Sequence, residues 1–177
     1  AFLNEGALVV IPDDVVLESP LQLIHITTTS ELPVFTHSRN LIIAGARSKA
    51  TVIETYVGSP GAVYFTNALM EADIGEGAEI DHYRIQQESS RAFHITSQYV
   101  NQSGKSNFSD HTITLGAQLS RNNIVHVLNG EHIHSTMNGL YLIGGDQHTD
   151  TSTKLDHAKP NCTSLELFKG ILDDRAR

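Results

Sequence analysis

The sequence contains one cysteine, Cys162, and no tryptophan among its 177 residues. A single cysteine excludes an internal disulfide framework, and the first residues lack the basic stretch and the long apolar stretch of a secretory signal. No apolar run approaches the roughly 20 residues that a membrane-spanning helix needs. We therefore expect a globular chain that works in the reducing cytoplasm, with no membrane partner.

Positive charge is scarce: 12 lysines and arginines stand against 20 aspartates and glutamates, which gives a net charge of -8. Affinity for nucleic acid depends on clustered cations that displace counterions, so this composition argues against a nucleic acid partner. The segment SGKS, Ser103–Ser106, does not complete a phosphate-binding loop, because Tyr99 stands where that motif needs its first glycine. We therefore do not expect ATP binding.

Long patterns with helical periodicity are also rare, and short runs with strand-like alternation follow one another between turn residues. In the run AFHITSQYV, residues 92–100, the apolar Phe93, Ile95 and Tyr99 alternate with the polar His94, Thr96 and Gln98, which predicts a strand with one face inward. Many such strands fit either a sandwich or barrel of antiparallel strands, or a solenoid of parallel strands. The shortage of two-residue hairpin signals and the long polar rows favour the solenoid. A strict hexapeptide period is absent, which disfavours a left-handed acyltransferase-type helix.

The segment TSLELFKGILDD, residues 163–174, has an ambiguous local pattern. Thr163 and Glu166 resemble a capping box, and the apolar residues that follow have helical spacing, so local signals favour a helix. The alternation that begins at Leu165 and Leu167 is also compatible with a strand.

The segment GDQHTDTSTKLDHAKPNC, residues 145–162, collects residue types that ligate metals. The candidate metal ligands are His148, Asp150, His157 and Cys162. A zinc site would usually show paired, closely spaced cysteines or histidines, whereas Asp, Asn, Thr, Gly and Pro are also the residues that turns select. We therefore interpret the segment mainly as turns and outer face, and keep metal binding as the weaker alternative.

Two further polar sets allow a chemical interpretation. His132 and His134 are two residues apart, so both would project from one face of a strand, but no acidic residue follows closely to complete a metal site. A solenoid enzyme that acts on acidic polysaccharide would need carboxylates together with a basic residue. The residues that could supply them are Asp73, Glu76, Glu79, Asp81 and Arg84. A solvated charged face explains the same residues equally well.

The stretch from Leu128 to Arg177 resembles the core domain of the SufB/SufD family, subunits of the scaffold of the SUF iron-sulfur cluster assembly system. The motifs that carry the resemblance are NGLYLIGG, DQHTDTST, DHAKPNCTS and LFKGILDDRAR. Their amino-acid sequences favour the SufD branch of the family. The segment GALVVIPDDVVLESPLQLIHITT also resembles that family's entry into its core, so the likeness extends over nearly the whole chain.

The resemblance implies an all-β fold, a right-handed parallel β-helix (β-solenoid), in which residues 163–172 continue as a strand. It also implies a non-catalytic scaffold subunit that pairs with a SufB-like subunit and a SufC-like ATPase. Such a subunit has no intrinsic cofactor, and a transient iron-sulfur cluster forms on the assembled complex. Cys162 matches a family position but not the cysteine at the subunit interface.

Domain organisation and assembly follow from the same resemblance. We expect residues 1–177 to form a single β-helix core domain, a fragment without the family's N-terminal helical region and without its C-terminal β-helix and helical regions. The chain starts at Ala1 and stops at DDRAR, which is compatible with a piece of a longer protein. Stacked coils expose open ends, so the fragment is expected to self-associate as a homo-oligomer.

Two functions from different classes therefore stand. The first is a scaffold subunit with no catalytic, cofactor-binding or metal-binding residues of its own. The second is a β-helix carbohydrate-active enzyme or binding protein, which would need a cleft of convergent carboxylates. The missing secretion signal and the lack of a basic catalytic cluster favour the scaffold.

Overall fold

The computed structural model describes residues 5–28 and 34–177, and every regular element in these two ranges is a β-strand. The strands are β1 Leu8–Ile11, β2 Leu21–Thr27, β3 Val34–Thr36, β4 Arg39–Ala44, β5 Lys49–Gly58, β6 Tyr64–Ile74, β7 Glu79–Gln87, β8 Phe93–Gln102, β9 Asn107–Thr114, β10 Leu119–Leu128, β11 His134–Ile143, β12 His148–Asp156 and β13 Thr163–Leu172. Within the described residues, no helix has the length and apolar character to cross a bilayer.

The strands form two parallel sheets that the chain visits alternately. The first sheet has the order β1-β4-β6-β8-β10-β12, with β3 also paired to β6, and the second has the order β13-β11-β9-β7-β5-β2. All the strand pairs are parallel, so each strand hydrogen-bonds to the equivalent strand one coil away. The result is a β-solenoid of about six turns, which confirms the predicted parallel fold.

Strand β13 resolves the ambiguous segment near the end of the sequence. It pairs with β11 in a continuous register that runs from His134 opposite Thr163 to Ile143 opposite Leu172. The helix favoured by the local pattern is therefore wrong, and the strand implied by the family resemblance is confirmed. Backbone pairing to a preformed strand outweighs a weak local helical preference, because tertiary context routinely overrides propensity.

One corner of the solenoid repeats the same backbone conformation in every coil. A residue there adopts a positive φ of 56–69°, at Asp14, Arg47, Gly77, Lys105, His132 and Asn161. This left-handed conformation is easiest for glycine and is tolerated by asparagine and aspartate. Asp14, Gly77 and Asn161 match that preference, whereas Arg47, Lys105 and His132 adopt the conformation without it, so the stacked backbone imposes the corner on the residue present.

Apolar residues fill one part of the interior, between the ends of the first-sheet strands and the starts of the second-sheet strands. Its most buried members include Ile42, Val52, Met70, Ile74 and Phe108, all with an exposed fraction of 0%. Burial of such side chains contributes about 1.5–3 kcal/mol each. The remaining part of the interior is polar, and it positions the candidate site.

Candidate functional site in the solenoid interior

The centre of the polar interior is an imidazole held between two carboxylates. His82 on β7 lies between Glu54 on β5 and Asp110 on β9, and all three side chains are buried. Its Nδ1 is 2.7 Å from Asp110 Oδ1, and its Nε2 is 3.8 Å from Glu54 Oε2. Inward alternation along three neighbouring strands stacks these residues, because strand residues two apart share one face.

The electrostatics of this triad favour its ionised form. Burial by itself would lower the pKa of His82, but the hydrogen bonds and charges of Asp110 and Glu54 outweigh it and raise that pKa to about 9. Burial would raise the pKa of Asp110, yet the hydrogen bond and charge of His82 lower it to about 2. The pKa of Glu54 is likewise lowered by His82 and by the positive charge of Arg84, against the effect of burial.

Arg84 extends the charged network across the solenoid. Its guanidinium donates to Gln98 Oε1 and Thr112 Oγ1, each at 3.0 Å. The Gln98 amide nitrogen lies 3.5 Å from His126 Nε2, and His126 Nδ1 is 2.9 Å from Ser135 Oγ. Burial lowers the pKa of His126 to about 4, so this imidazole is neutral at pH 7.

A second buried carboxylate, Glu88, lies toward the first coils. Its Oε1 accepts a hydrogen bond from Thr66 Oγ1 at 2.7 Å, and its Oε2 accepts one from Gln86 Nε2 at 2.9 Å and lies 2.6 Å from His94 Nδ1. Burial would raise the pKa of Glu88, but its neighbours, led by His94, lower it. Glu88 is therefore charged and compensated within the interior.

The arrangement favours a structural role over catalysis for these charged groups. Each acid has a basic or hydroxyl partner from a neighbouring strand or coil, and the charged groups face each other inside the sheets. Removing one partner of such a buried pair leaves an uncompensated charge and is strongly destabilising.

The structure disperses the metal-ligand candidates of the sequence. His148 and Asp150 project outward from β12, and Asp150 forms an ion pair with Arg121 at 2.6 Å. His157 Nε2 is 3.1 Å from Ser164 Oγ, and Cys162 Sγ donates to the carbonyl of Gly130 at 3.1 Å. Within residues 5–28 and 34–177, no group of three or more His, Cys, Asp or Glu side chains is arranged to hold a metal ion.

The other two polar sets do not converge either. His132 lies at the corner with a positive φ, whereas His134 begins β11, so they do not share a strand face. Arg84 is buried in the interior, while the four candidate carboxylates of the polysaccharide hypothesis, Asp73, Glu76, Glu79 and Asp81, are exposed. Arg84 therefore cannot act with them as a base on a bound substrate.

Sequence reasoning missed the interior network of Glu54, His82 and Asp110. The available signal was alternation: in EIDHYRIQQ, Ile80 marks the inward row, which continues through His82 and Arg84. Polar residues occupy both rows of these strands, so the pattern does not by itself identify the buried face.

The fold and this interior define a class: a parallel β-solenoid with an ionised, internally paired core. Among known families, the model described as "SUF system FeS cluster assembly, SufBD core domain" matches residues 25–177. The match covers most of the chain, so the chain belongs to the SufBD core domain family, as the resemblance predicted.

Individual relatives agree with the family. The chain is 28% identical to an iron-sulfur cluster assembly SufBD family protein of Synechocystis sp., in an alignment that covers 100% of this chain and 41% of that protein. It is 29% identical to the iron-sulfur cluster assembly protein SufD of Escherichia coli, over 89% of this chain and 38% of that protein. SufD of Bacillus subtilis is 25% identical, over 99% and 40%. The chain thus spans about two fifths of the length of these relatives.

Proposed function

We propose that this chain is the core of a non-catalytic scaffold subunit for iron-sulfur cluster assembly. In this proposal the subunit works in the cytoplasm with a SufB-like subunit and a SufC-like ATPase. The iron-sulfur cluster is cargo that forms transiently on the assembled complex, and the subunit contributes shape and docking surface. The observation that carries the proposal is the family match over residues 25–177.

The surface of the solenoid supports a role in protein association. Large apolar side chains are exposed on the outer face of β13, where Leu165 is 65% exposed, Leu167 55% and Ile171 60%. Contiguous exposed apolar residues usually mark contact surfaces rather than solvent-facing strands. The charged groups of the interior, in contrast, are enclosed and paired with each other, which suits a rigid support.

The alternative from the sequence, a carbohydrate-active enzyme, gains no support from the geometry. Such an enzyme needs an acid and a base that reach one substrate. Here Arg84 is turned into the core and Asp81 is turned outward on the same strand.

Affinity purification of the full-length protein tests the proposal. The full-length chain is co-expressed with tagged SufB-like and SufC-like proteins of the same source, and an unrelated β-solenoid of similar charge serves as the control. We expect a stoichiometric complex that survives size-exclusion chromatography and that the control does not form. Absence of the complex, together with depolymerisation of an acidic polysaccharide by the purified protein, would transfer the chain to the enzyme class.

A further inference from the structure

The sequence contains two Asn-Gly pairs, Asn129-Gly130 and Asn138-Gly139. Asparagine is a chemically labile residue, and its side-chain carbonyl group can approach the backbone N–H of a neighbouring residue. Glycine in the second position has no side chain to hinder this approach and allows the widest range of backbone conformations. Both pairs are therefore reactive in an unfolded chain, and the fold decides which of them stays reactive.

The pair Asn129-Gly130 lies in the turn that follows β10, whose last residue is Leu128. Asn129 is exposed, and within the described residues its side-chain amide forms no hydrogen bond. The backbone N–H of Asn129 donates to the carbonyl of Gln102 at 2.9 Å, whereas the backbone N–H of Gly130 has no acceptor among the described residues. The side-chain carbonyl carbon of Asn129 and the backbone nitrogen of Gly130 are therefore both free to react.

The pair Asn138-Gly139 lies inside β11, which is paired with β9 on one side and with β13 on the other. Gly139 is opposite Thr112 and Phe168, and in a strand with two parallel neighbours each backbone N–H bonds to one of them. The side-chain nitrogen of Asn138 lies 3.3 Å from His111 Nδ1. This part of the sheet must open before the Gly139 nitrogen can turn toward the Asn138 side chain.

Packing between coils explains why glycine follows Asn129. A Cβ on Gly130 would come within 2.2 Å of the backbone nitrogen of Gly104 and within 2.5 Å of its Cα. Protein interiors are close-packed and transmit such overlaps as strain, so a side chain at this position would displace the stacked backbone. An additional main-chain atom at the same corner would disturb the contact between Gly130 and Gly104 in the same way.

From these observations we propose that Asn129 is a site of spontaneous deamidation, whereas the fold protects Asn138. The backbone nitrogen of Gly130 loses its proton and bonds to the side-chain carbonyl carbon of Asn129, and the side-chain nitrogen leaves as ammonia. The product is a five-membered succinimide, and water, the only co-reactant, opens it at either carbonyl. One opening gives aspartate, and the other gives isoaspartate, whose main chain is longer by one methylene. This site is independent of the proposed scaffold role.

Peptide mapping by mass spectrometry tests the site on the full-length protein after incubation in mildly alkaline buffer, with and without urea. In the folded protein we expect Asn129 to convert at least about tenfold faster than Asn138, because opening a paired core strand costs much of the global stability. In urea the two pairs should convert at similar rates, which assigns the difference to the fold. The matched control is Asn129→Gln, which should lose the conversion at residue 129 and leave that of Asn138 unchanged.

The stability of the products tests the consequence for the corner. The variant Asn129→Asp carries the new charge on a normal main chain, so its melting temperature should be close to that of the wild type, as for most exposed substitutions. Incubated wild-type protein, which contains isoaspartate as well, should melt at a lower temperature than Asn129→Asp. Equal conversion of the two pairs in the folded protein, no conversion at Asn129, aspartate as the sole product, or isoaspartate without any loss of stability would overturn the proposal.

Discussion

His82 is the residue on which the interior depends most. Its imidazole is fully buried and lies between the carboxylates of Glu54 and Asp110, which come from the coils before and after it. The His82 imidazolium and the buried Arg84 guanidinium compensate these two negative charges, so loss of the imidazolium leaves buried charge without its hydrogen-bonded partner, which is costly.

Replacement of His82 by alanine should therefore destabilise the protein by about 3–5 kcal/mol, the usual cost of breaking a buried ion pair. The matched control is His157→Ala. His157 is exposed, and its side chain forms a hydrogen bond with the hydroxyl of Ser164. Urea unfolding monitored by far-ultraviolet circular dichroism measures both variants. A cost below about 1 kcal/mol for His82→Ala, close to that of the control, would contradict the role of the triad.

The pH dependence of stability follows from the same groups. The pKa of His82 is raised to about 9, so its contribution is complete below its unfolded value of about 6.5 and is lost as the pH rises through 9. The pKa of Asp110 is lowered to about 2, so its contribution is present above about 4 and is lost as the pH falls through 2. His126, with its pKa lowered to about 4, removes stability as the pH falls from about 6.5.

We therefore expect maximal stability near pH 6.5 and a decline on both sides. Denaturant unfolding from pH 4 to pH 10 measures the profile. In the variant His82→Gln the decline between pH 6.5 and 9 should become flatter, because the proton that the native state retains there has been removed. An alkaline limb with the wild-type slope in His82→Gln would show that another group carries it.

At the residue scale, the sequence predicted less than the structure contains. Alternation predicted that strands have an inward face, and apolar residues normally mark that face. In β8, however, the polar row of His94, Thr96 and Gln98 is the buried one, and the same holds for His82 and Asp110 on β7 and β9. The outward placement of His148 and Asp150 agrees with their interpretation as outer face. The prediction that no residue binds a metal stays a prediction.

Strands β11 and β13 show how one element accommodates the next. Gly139 lies opposite Phe168, and a Cβ on Gly139 would come within 2.0 Å of the Phe168 ring. In the reverse direction, a Cβ on Gly170 would come within 1.8 Å of the Tyr141 ring. Each glycine leaves room for an aromatic ring of the neighbouring strand, and that ring packs over the glycine backbone. Such aromatic–glycine pairs stabilise glycines in sheets.

The variant Gly139→Ala should destabilise the protein by about 1–3 kcal/mol, the cost of overpacking. Gly144→Ala is the matched control, because its added Cβ would meet Asp173 at an ordinary 3.8 Å. Phe168→Ala in the Gly139→Ala background removes the clash, so a thermodynamic cycle should show a coupling that restores part of the loss. Strictly additive effects would mean that the ring moves aside without cost.

At the scale of elements, the sequence predicted the parallel solenoid, but it left the secondary structure of one strand, β13, undecided. Short alternating runs separated by turn residues indicated successive strands, and the scarcity of hairpin signals indicated parallel stacking. The local sequence could not decide the secondary structure of residues 163–172, because the spacing of their apolar residues fits a helix and a strand equally well. Pairing with β11 decides between them, and that information lies in another part of the chain.

The described chain combines complementary charge along the solenoid with exposed apolar side chains at both ends, on β1 and β2 and on β13. Along the corner, Arg47 bonds to Asp14 at 2.6 Å and Lys105 bonds to Glu76 at 2.9 Å, each pair joining adjacent coils. Such exposed pairs contribute little stability, about 0–1 kcal/mol each, but they disfavour a shifted stacking register. In the described chain β13 pairs only with β11, so its other edge is open.

The 177-residue chain should therefore self-associate through β13, since open strand edges with apolar side chains template pairing. The double variant Leu165→Lys and Leu167→Lys is expected to shift the chain toward monomer in sedimentation velocity experiments. Tyr99→Lys, at an exposed position on the central strand β8, is the control and should leave association unchanged. A monomeric wild type at all concentrations, or an equal effect of the control, would contradict this.

The proposed scaffold works in the assembled complex, and anaerobic cluster reconstitution measures whether it does. Full-length protein, purified together with SufB-like and SufC-like partners, is supplied with ferrous iron and sulfide, and the cluster is monitored by its visible absorbance. We expect a cluster on the complete complex and a substantial loss when this protein is omitted. Equal cluster formation without it, or the complete cluster on this protein alone, would contradict a scaffold that acts only within the complex.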